Sequence, residues 1–119
     1  KAHRPHRVPL SRRAVQILAT ARNLLDGASG LVFPGPRGRA LSDMALSKLL
    51  REHRITAVPH GFRSSFRDWA AEKTNHPRQV VEAALAHVIP NKTEAAYARS
   101  DLFDRRRRLM DDWAAYVDR

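Results

Sequence analysis

The chain has 119 residues, enough for one domain and too few for two ordinary ones. It contains no cysteine, which excludes a disulfide framework, a thiolate zinc site and a thiol nucleophile, and no apolar run near the ~18 residues that span a bilayer. Its 22 Lys and Arg, 18 of them Arg, outweigh 12 Asp and Glu to leave a net charge of +10, so the first expected partner is a nucleic acid. Arg grips phosphate with a planar fork, where Lys offers only a point charge. An anionic membrane is the weaker expectation, because no predicted helix joins a basic face to a large apolar one. A start at Lys1 without a secretory signal suits a piece of a longer protein.

In chain order, the end of Lys1–Leu10 reads as a strand at Val8-Pro9-Leu10, one arm of a hairpin whose partner lies upstream, and a small β edge on a mainly α fold. Ser11 is a good N-cap, and Ala14, Ile17, Leu18, Ala21, Leu24 and Leu25 recur at helical spacing until Gly27 and Gly30 close the helix. A short apolar segment at Leu31-Val32-Phe33 ends in Pro34-Gly35-Pro36 and the basic loop Arg37-Gly38-Arg39. Ser42 caps a predicted second helix reaching about Arg54, with Met44, Leu46, Leu49 and Leu50 as its apolar positions. A third helix is expected over Gly61–Lys73, with Phe62, Phe66, Trp69 and Ala70 on one stripe. Asn75-His76-Pro77 breaks it, and Pro77 suits the first position of a fourth helix carrying Val80, Val81, Ala84 and Leu85. Pro90 ends that helix after His87, and a short helix is expected over Glu94–Arg99. The last helix starts near Asp101 and places Leu102, Phe103, Arg106, Met110, Trp113 and Val117 on one side.

Three short patterns carry chemistry. His60-Gly61-Phe62-Arg63 puts a His just before a helix and an Arg in its first turn, three residues apart and able to face the same way. The free N–H groups of a helix N-terminus suit an anion, though a capping His and a solvated Arg would look the same. His87, after Leu85-Ala86, is either a hydrogen-bonded core histidine or a functional one. Tyr97 lies ten residues further on, flanked by alanines, and taken alone reads as a core aromatic.

Taken together and in this order, in a basic helical chain, these patterns resemble the tyrosine recombinase (phage integrase) family. Gly61-Phe62-Arg63-Ser64-Ser65-Phe66-Arg67-Asp68-Trp69-Ala70 is similar to integrases of prophages and genomic islands. So are Asn91-Lys92-Thr93-Glu94-Ala95-Ala96-Tyr97-Ala98-Arg99-Ser100-Asp101, the run Arg106-Arg107-Arg108-Leu109-Met110, and Trp113. The resemblance covers nearly the whole chain and implies the C-terminal part, residues 1–119, of a recombinase catalytic domain, acting on double-stranded DNA as a tetramer in the bacterial cytoplasm, at the nucleoid.

The resemblance also implies roles. Tyr97 attacks the scissile phosphate and forms a 3′-phosphotyrosine, which a partner strand's 5′-hydroxyl then resolves. A free Tyr titrates near pH ~10, so Tyr97 needs a proton acceptor, for which His60 is the candidate. Arg63 forks onto the non-bridging oxygens, and His87 hydrogen-bonds the same phosphate. Lys1, eight residues before Pro9, matches the hairpin Lys that protonates the leaving 5′-oxygen. A first phosphate-binding Arg is also implied, and none stands before Lys1, so the chain alone is expected to be inactive. No cofactor and no metal is expected, since the carboxylates form no tight cluster in the sequence.

Arg67 faces either the DNA backbone or a salt bridge with Asp68 or Glu72. Arg37 and Arg39 suit phosphate contacts in their Gly/Pro loop. Residues Arg105 to Arg108 point all round a helix, so at most two meet one DNA face; Arg105 and Arg108 are taken as the pair, with a solvated face as the alternative. The last helix is expected to pack in cis, with docking on a neighbouring protomer as the alternative. Competing readings are a non-catalytic basic DNA-binding module or decayed integrase, a type IB topoisomerase-like enzyme, and a metal-dependent nuclease.

Overall fold

The structure is a computed structural model that describes residues 5–24, 30–87 and 101–118. The chain divides into two compact units, one of Lys1–Ser11 with Ser65–Arg119 and one of Arg12–Ser64. Helices dominate both, and no strand occurs among the described residues.

In the unit Arg12–Ser64, α1 (Arg12–Asn23) follows Ser11, as its N-cap signal predicts. Ala14, Leu18 and Ala21 share one half-buried face, while Val15 and Ile17 look outward. A single 3-10 turn, Pro36–Gly38, shapes the basic loop. Helix α2 (Ala45–Glu52) begins two residues later than an N-cap at Ser42 predicts. The Ala45 N–H donates to the Ser42 carbonyl at 3.0 Å, so the first residues form a turn, and Met44 takes the cap position without a side-chain bond. Met44, Leu46 and Leu49 are exposed, and Leu50 alone of the four expected apolar positions is half-buried. The helix closes with Arg54 in the left-handed region (φ 56°) and the Ile55 N–H reaching back to the Leu50 carbonyl at 2.8 Å, the bonding pattern of a Schellman stop.

The other unit holds the core. Helix α3 spans Gly61–Lys73, as expected, its first turn belonging to the unit before and the rest to this one. Phe66, Trp69 and Ala70 are buried, whereas Phe62, expected on the same stripe, is exposed. Thr74 ends the helix by donating its hydroxyl to the Ala70 carbonyl at 2.6 Å, and the same oxygen accepts the His76 N–H at 3.2 Å. Pro77 then precedes α4 (Arg78–Ala84) with extended backbone, and Val80, Val81 and Leu85 go into the core. The longest helix, α5 (Phe103–Val117), packs on α4 and buries Leu109 completely.

Rings complete this core. Trp113 meets Phe66 edge-on at 5.4 Å and Trp69 at 4.9 Å, and Tyr116 stacks on Trp113 at 5.7 Å. The last helix packs on its own chain, which supplies the aromatic pocket. Each fully buried aliphatic side chain contributes about 1.5–3 kcal/mol.

The expected β edge does not form among the described residues. Residues 5–11 carry no regular secondary structure, because no described segment pairs with Val8-Pro9-Leu10 and Pro9 has no N–H for a ladder. A different interaction holds the segment. Arg106 of α5, 1% exposed, donates to the Arg7 carbonyl at 2.8 Å and lies 3.3 Å from the Asp101 carboxylate, which also takes the Arg7 guanidinium at 2.7 Å. Pro9 is buried beside this clasp's segment. The Arg7 guanidinium sits 4.4 Å from the centre of the Phe103 ring. The hydrogen bond from Arg7, with the Phe103 N–H and the Arg7 and Arg106 charges, holds the Asp101 carboxyl below its usual range against the effect of burial.

Candidate active site

His60 and Arg63 come together at the start of α3. The Gly61 N–H donates to Val58 O at 2.9 Å and the Arg63 N–H to His60 O at 3.1 Å, so the tight entry turn fixes His60 and Arg63 on successive parts of one helix N-terminus. Both side chains are solvent-accessible. The peptide N–H groups of Gly61 and Arg63 are spent on this turn, and the dipole of the helix end still favours an anion. A guanidinium in the first turn adds a formal charge and two parallel donors. The arrangement suits a phosphate.

His87 stands at the other end of a helix. Helix α4 stops in a second left-handed turn, with Ala86 at φ 54° and the His87 N–H donating to the Glu82 carbonyl at 3.0 Å. The His87 ring also turns back on this residue, its Nδ1 against Glu82 Oε2. Glu82 Oε1 lies 3.2 Å from Arg67 Nε and 3.9 Å from Arg78 Nε. The His87 bond is the largest influence holding the Glu82 carboxyl below its usual range; burial opposes it, and the charges of Arg67, His87 and Arg78 add to it. His87 is not a core histidine, since two-fifths of its side chain is exposed.

The remaining expected residues divide. Tyr97, Lys1 and the short helix expected over Glu94–Arg99 lie outside the described residues. Arg67 pairs with Glu82 rather than with Asp68 or Glu72, because α3 packs against α4 and brings a carboxylate from the neighbouring helix within reach. Arg37 and Arg39 are exposed in a loop closed by Gly35 N–H to Arg39 O at 2.7 Å, with Arg37 itself left-handed at φ 60°. Arg105, Arg107 and Arg108 are exposed, and Arg106 alone of the run is buried. Among the described residues no group of three His, Asp or Glu gathers as a ligand set.

Comparison with known proteins bears on what this arrangement serves. Over 121 residues, 99% of the chain, it is 36% identical to prophage integrase IntZ of Escherichia coli K12. It is 35% identical over 98% of its length to prophage integrase IntA of the same strain, and 32% identical over 99% to the integrase of enterobacteria phage P4. The chain is a relative of the phage integrases. It spans 30%, 29% and 28% of those three proteins, respectively. No family model and no solved structure matches it.

In this integrase relative two site features escape sequence reasoning. Arg106 carries a signal, for it falls on the apolar stripe of its helix, yet a run of four arginines looks solvated throughout. Glu82 carries almost none, because its position five residues before His87 matters only once the left-handed stop folds the chain back. No described helix is long and apolar enough to cross a membrane.

Proposed function

We propose that this integrase relative is the C-terminal part of the catalytic domain of a tyrosine recombinase, which cuts and rejoins double-stranded DNA at a specific site through a 3′-phosphotyrosine. The observation that carries the reading is the order His60-x-x-Arg63, Leu85-Ala86-His87, Tyr97 within a chain similar to integrases from end to end.

In this reading the Tyr97 oxygen attacks phosphorus, the P–O bond to the 5′-oxygen breaks, and the protein keeps the 3′-phosphate until a 5′-hydroxyl displaces it. One difficult displacement becomes two easier ones, and the bond energy stays in the covalent link. His60 accepts the Tyr97 proton. Arg63, at the N-terminus of α3, holds the oxygens on which charge builds, the placement at which fixed donors lower a barrier most. His87 adds a hydrogen bond to the same group, and Lys1 protonates the leaving 5′-oxygen. The implied first Arg comes from outside these 119 residues, so the chain alone does not cleave. Four copies of the intact protein assemble on paired DNA sites, in the bacterial cytoplasm.

The test is Tyr97→Phe in the intact protein, incubated with a nicked suicide substrate. Wild type traps a covalent protein–DNA adduct, and the variant binds equally well but traps none, since it loses one hydroxyl and keeps the ring. An adduct with the variant would remove Tyr97 as nucleophile and turn attention to Tyr116, whose ring stacks on Trp113. A wild-type gel shift without any adduct would make the protein a binding module, and cleavage abolished by EDTA would make it a metal-dependent nuclease.

A further inference from the structure

Glu82 is the most connected side chain around His87. It holds the ring at Nδ1 through one carboxylate oxygen and the same residue's peptide N–H through its own carbonyl, at 3.0 Å. Its second oxygen, Oε1, is buried and takes no hydrogen bond, and it lies 3.2 Å from Arg67 of α3. A carboxylate fixed in this way by a neighbouring helix is a rigid mount and not a mobile surface group; four-fifths of its side chain is covered.

The consequence for His87 follows from the chemistry of imidazole. With Nδ1 committed to a carboxylate, rotation of the ring stops and Nε2 is the nitrogen left for a ligand. For Nε2 to donate to a phosphate oxygen while Nδ1 donates to Glu82, both nitrogens must carry protons. An adjacent carboxylate is the group that supports this doubly protonated ring, and the influences on Glu82 keep it ionised. Without Glu82 the ring is free to present either nitrogen, as donor or as acceptor.

We propose that Glu82 is the positioning residue for His87: through Nδ1 it orients the ring, presents Nε2–H to the scissile phosphate and balances the charge on the imidazolium. This rests on the reading of His87 as a phosphate contact. Arg67 in turn steadies Glu82 and is therefore a support of the site and not one of its free DNA contacts.

The experiment is a double-mutant cycle in the intact protein, reading the rate of adduct formation on the nicked substrate for Glu82→Ala, Glu82→Gln, His87→Ala and the two doubles. Glu82→Ala slows wild type about 30-fold, the scale seen when the partner that orients a functional histidine is lost. Glu82→Gln recovers part of the rate, because its carbonyl oxygen still accepts from Nδ1. In the His87→Ala background the same Glu82 changes cost no more than about twofold further. Equal losses in both backgrounds, the mark of a purely structural residue, overturn the proposal, as does a loss below about threefold in wild type. Nitrogen-15 spectra of histidine-labelled protein give an independent reading: His87 keeps a proton on Nδ1 in wild type, joined by a second on Nε2 when DNA is bound, and loses the Nδ1 preference in Glu82→Ala. If wild type forms no adduct, the recombinase reading fails, and the spectra still decide whether Glu82 sets the ring. An unchanged His87 spectrum in Glu82→Ala refutes it.

Discussion

Arg63 tests how much a fork matters at a helix N-terminus. Arg63→Lys keeps the charge and loses the paired donors, so cleavage falls about a hundredfold, ~3 kcal/mol of transition-state stabilisation, with DNA binding nearly unchanged. A fall below about threefold would place Arg63 away from the phosphate. Glu82 makes a second prediction, read in acid. Its folded carboxyl titrates below the ordinary 4.5, so its contribution to stability is complete above that value and disappears as pH falls through the lower one. The stability difference between wild type and Glu82→Gln, followed by urea unfolding, is therefore largest near neutrality and shrinks as pH falls through the lowered value. Arg67 shows why such a partner is hard to read from sequence. Asp68 is its neighbour in the chain but does not face it, since adjacent residues on a helix diverge, and the carboxylate it finds belongs to another helix.

At the scale of elements, two helices end on left-handed residues that are not glycine. Arg54 closes α2 and Ala86 closes α4. An alanine in that conformation costs about 1 kcal/mol relative to glycine, so Ala86→Gly raises stability by roughly 0.5–1 kcal/mol while leaving His87 in place. A higher midpoint in chemical denaturation checks it. Leu109→Ala acts in the opposite direction, costing about 3 kcal/mol, because the cavity opens where α5 meets α4; Leu46→Ala on exposed α2 costs under about 0.5 kcal/mol. The bounds of α3 are legible because punctuation marks both ends, Pro59 before and Asn75-His76-Pro77 after. The start of α2 is not, since Ser42 is an equally good turn residue and its backbone carbonyl, not its hydroxyl, makes the bond. The strand expected at Val8–Leu10 does not form among the described residues for a further reason: apolar alternation says which residues can pair, and the second arm of its hairpin is expected upstream of them.

For the molecule as a whole, charge is the property that counts. Affinity for duplex DNA falls steeply with salt as condensed ions are released, and four to six phosphate contacts give a log–log slope of about −4 to −5. Phosphate contacts carry no base code, so sequence preference is weak for this chain by itself. Reversing Arg37 and Arg39 together flattens the slope by roughly two units if both reach phosphate. Parallel salt titrations for wild type and double variant would leave that loop in solvent and put the DNA face elsewhere. In the run at the start of α5 the exposed Arg105, Arg107 and Arg108 are the candidates for contact, whereas Arg106 belongs to the interior. Neutralising all four at once would mix lost binding with lost folding, so the buried one must be kept for a charge scan to mean anything.

The Arg106 clasp has a temporal side. Its bond to the carbonyl of Arg7 joins positions 99 residues apart in the chain, and its approach to the His6 ring joins positions 100 apart. Residues 5–11 therefore have no resting place until α5 has been made. At ribosomal speeds of ~5–20 residues per second that delay is on the order of ten seconds, during which the segment waits undocked beside a growing chain. Closing a loop this long also adds to the folding barrier, because the entropy of the intervening chain is lost before Asp101, Arg7 and Arg106 can meet. Synthesis from a template truncated before α5 would thus leave the opening residues open to protease, and a few more codons would close them.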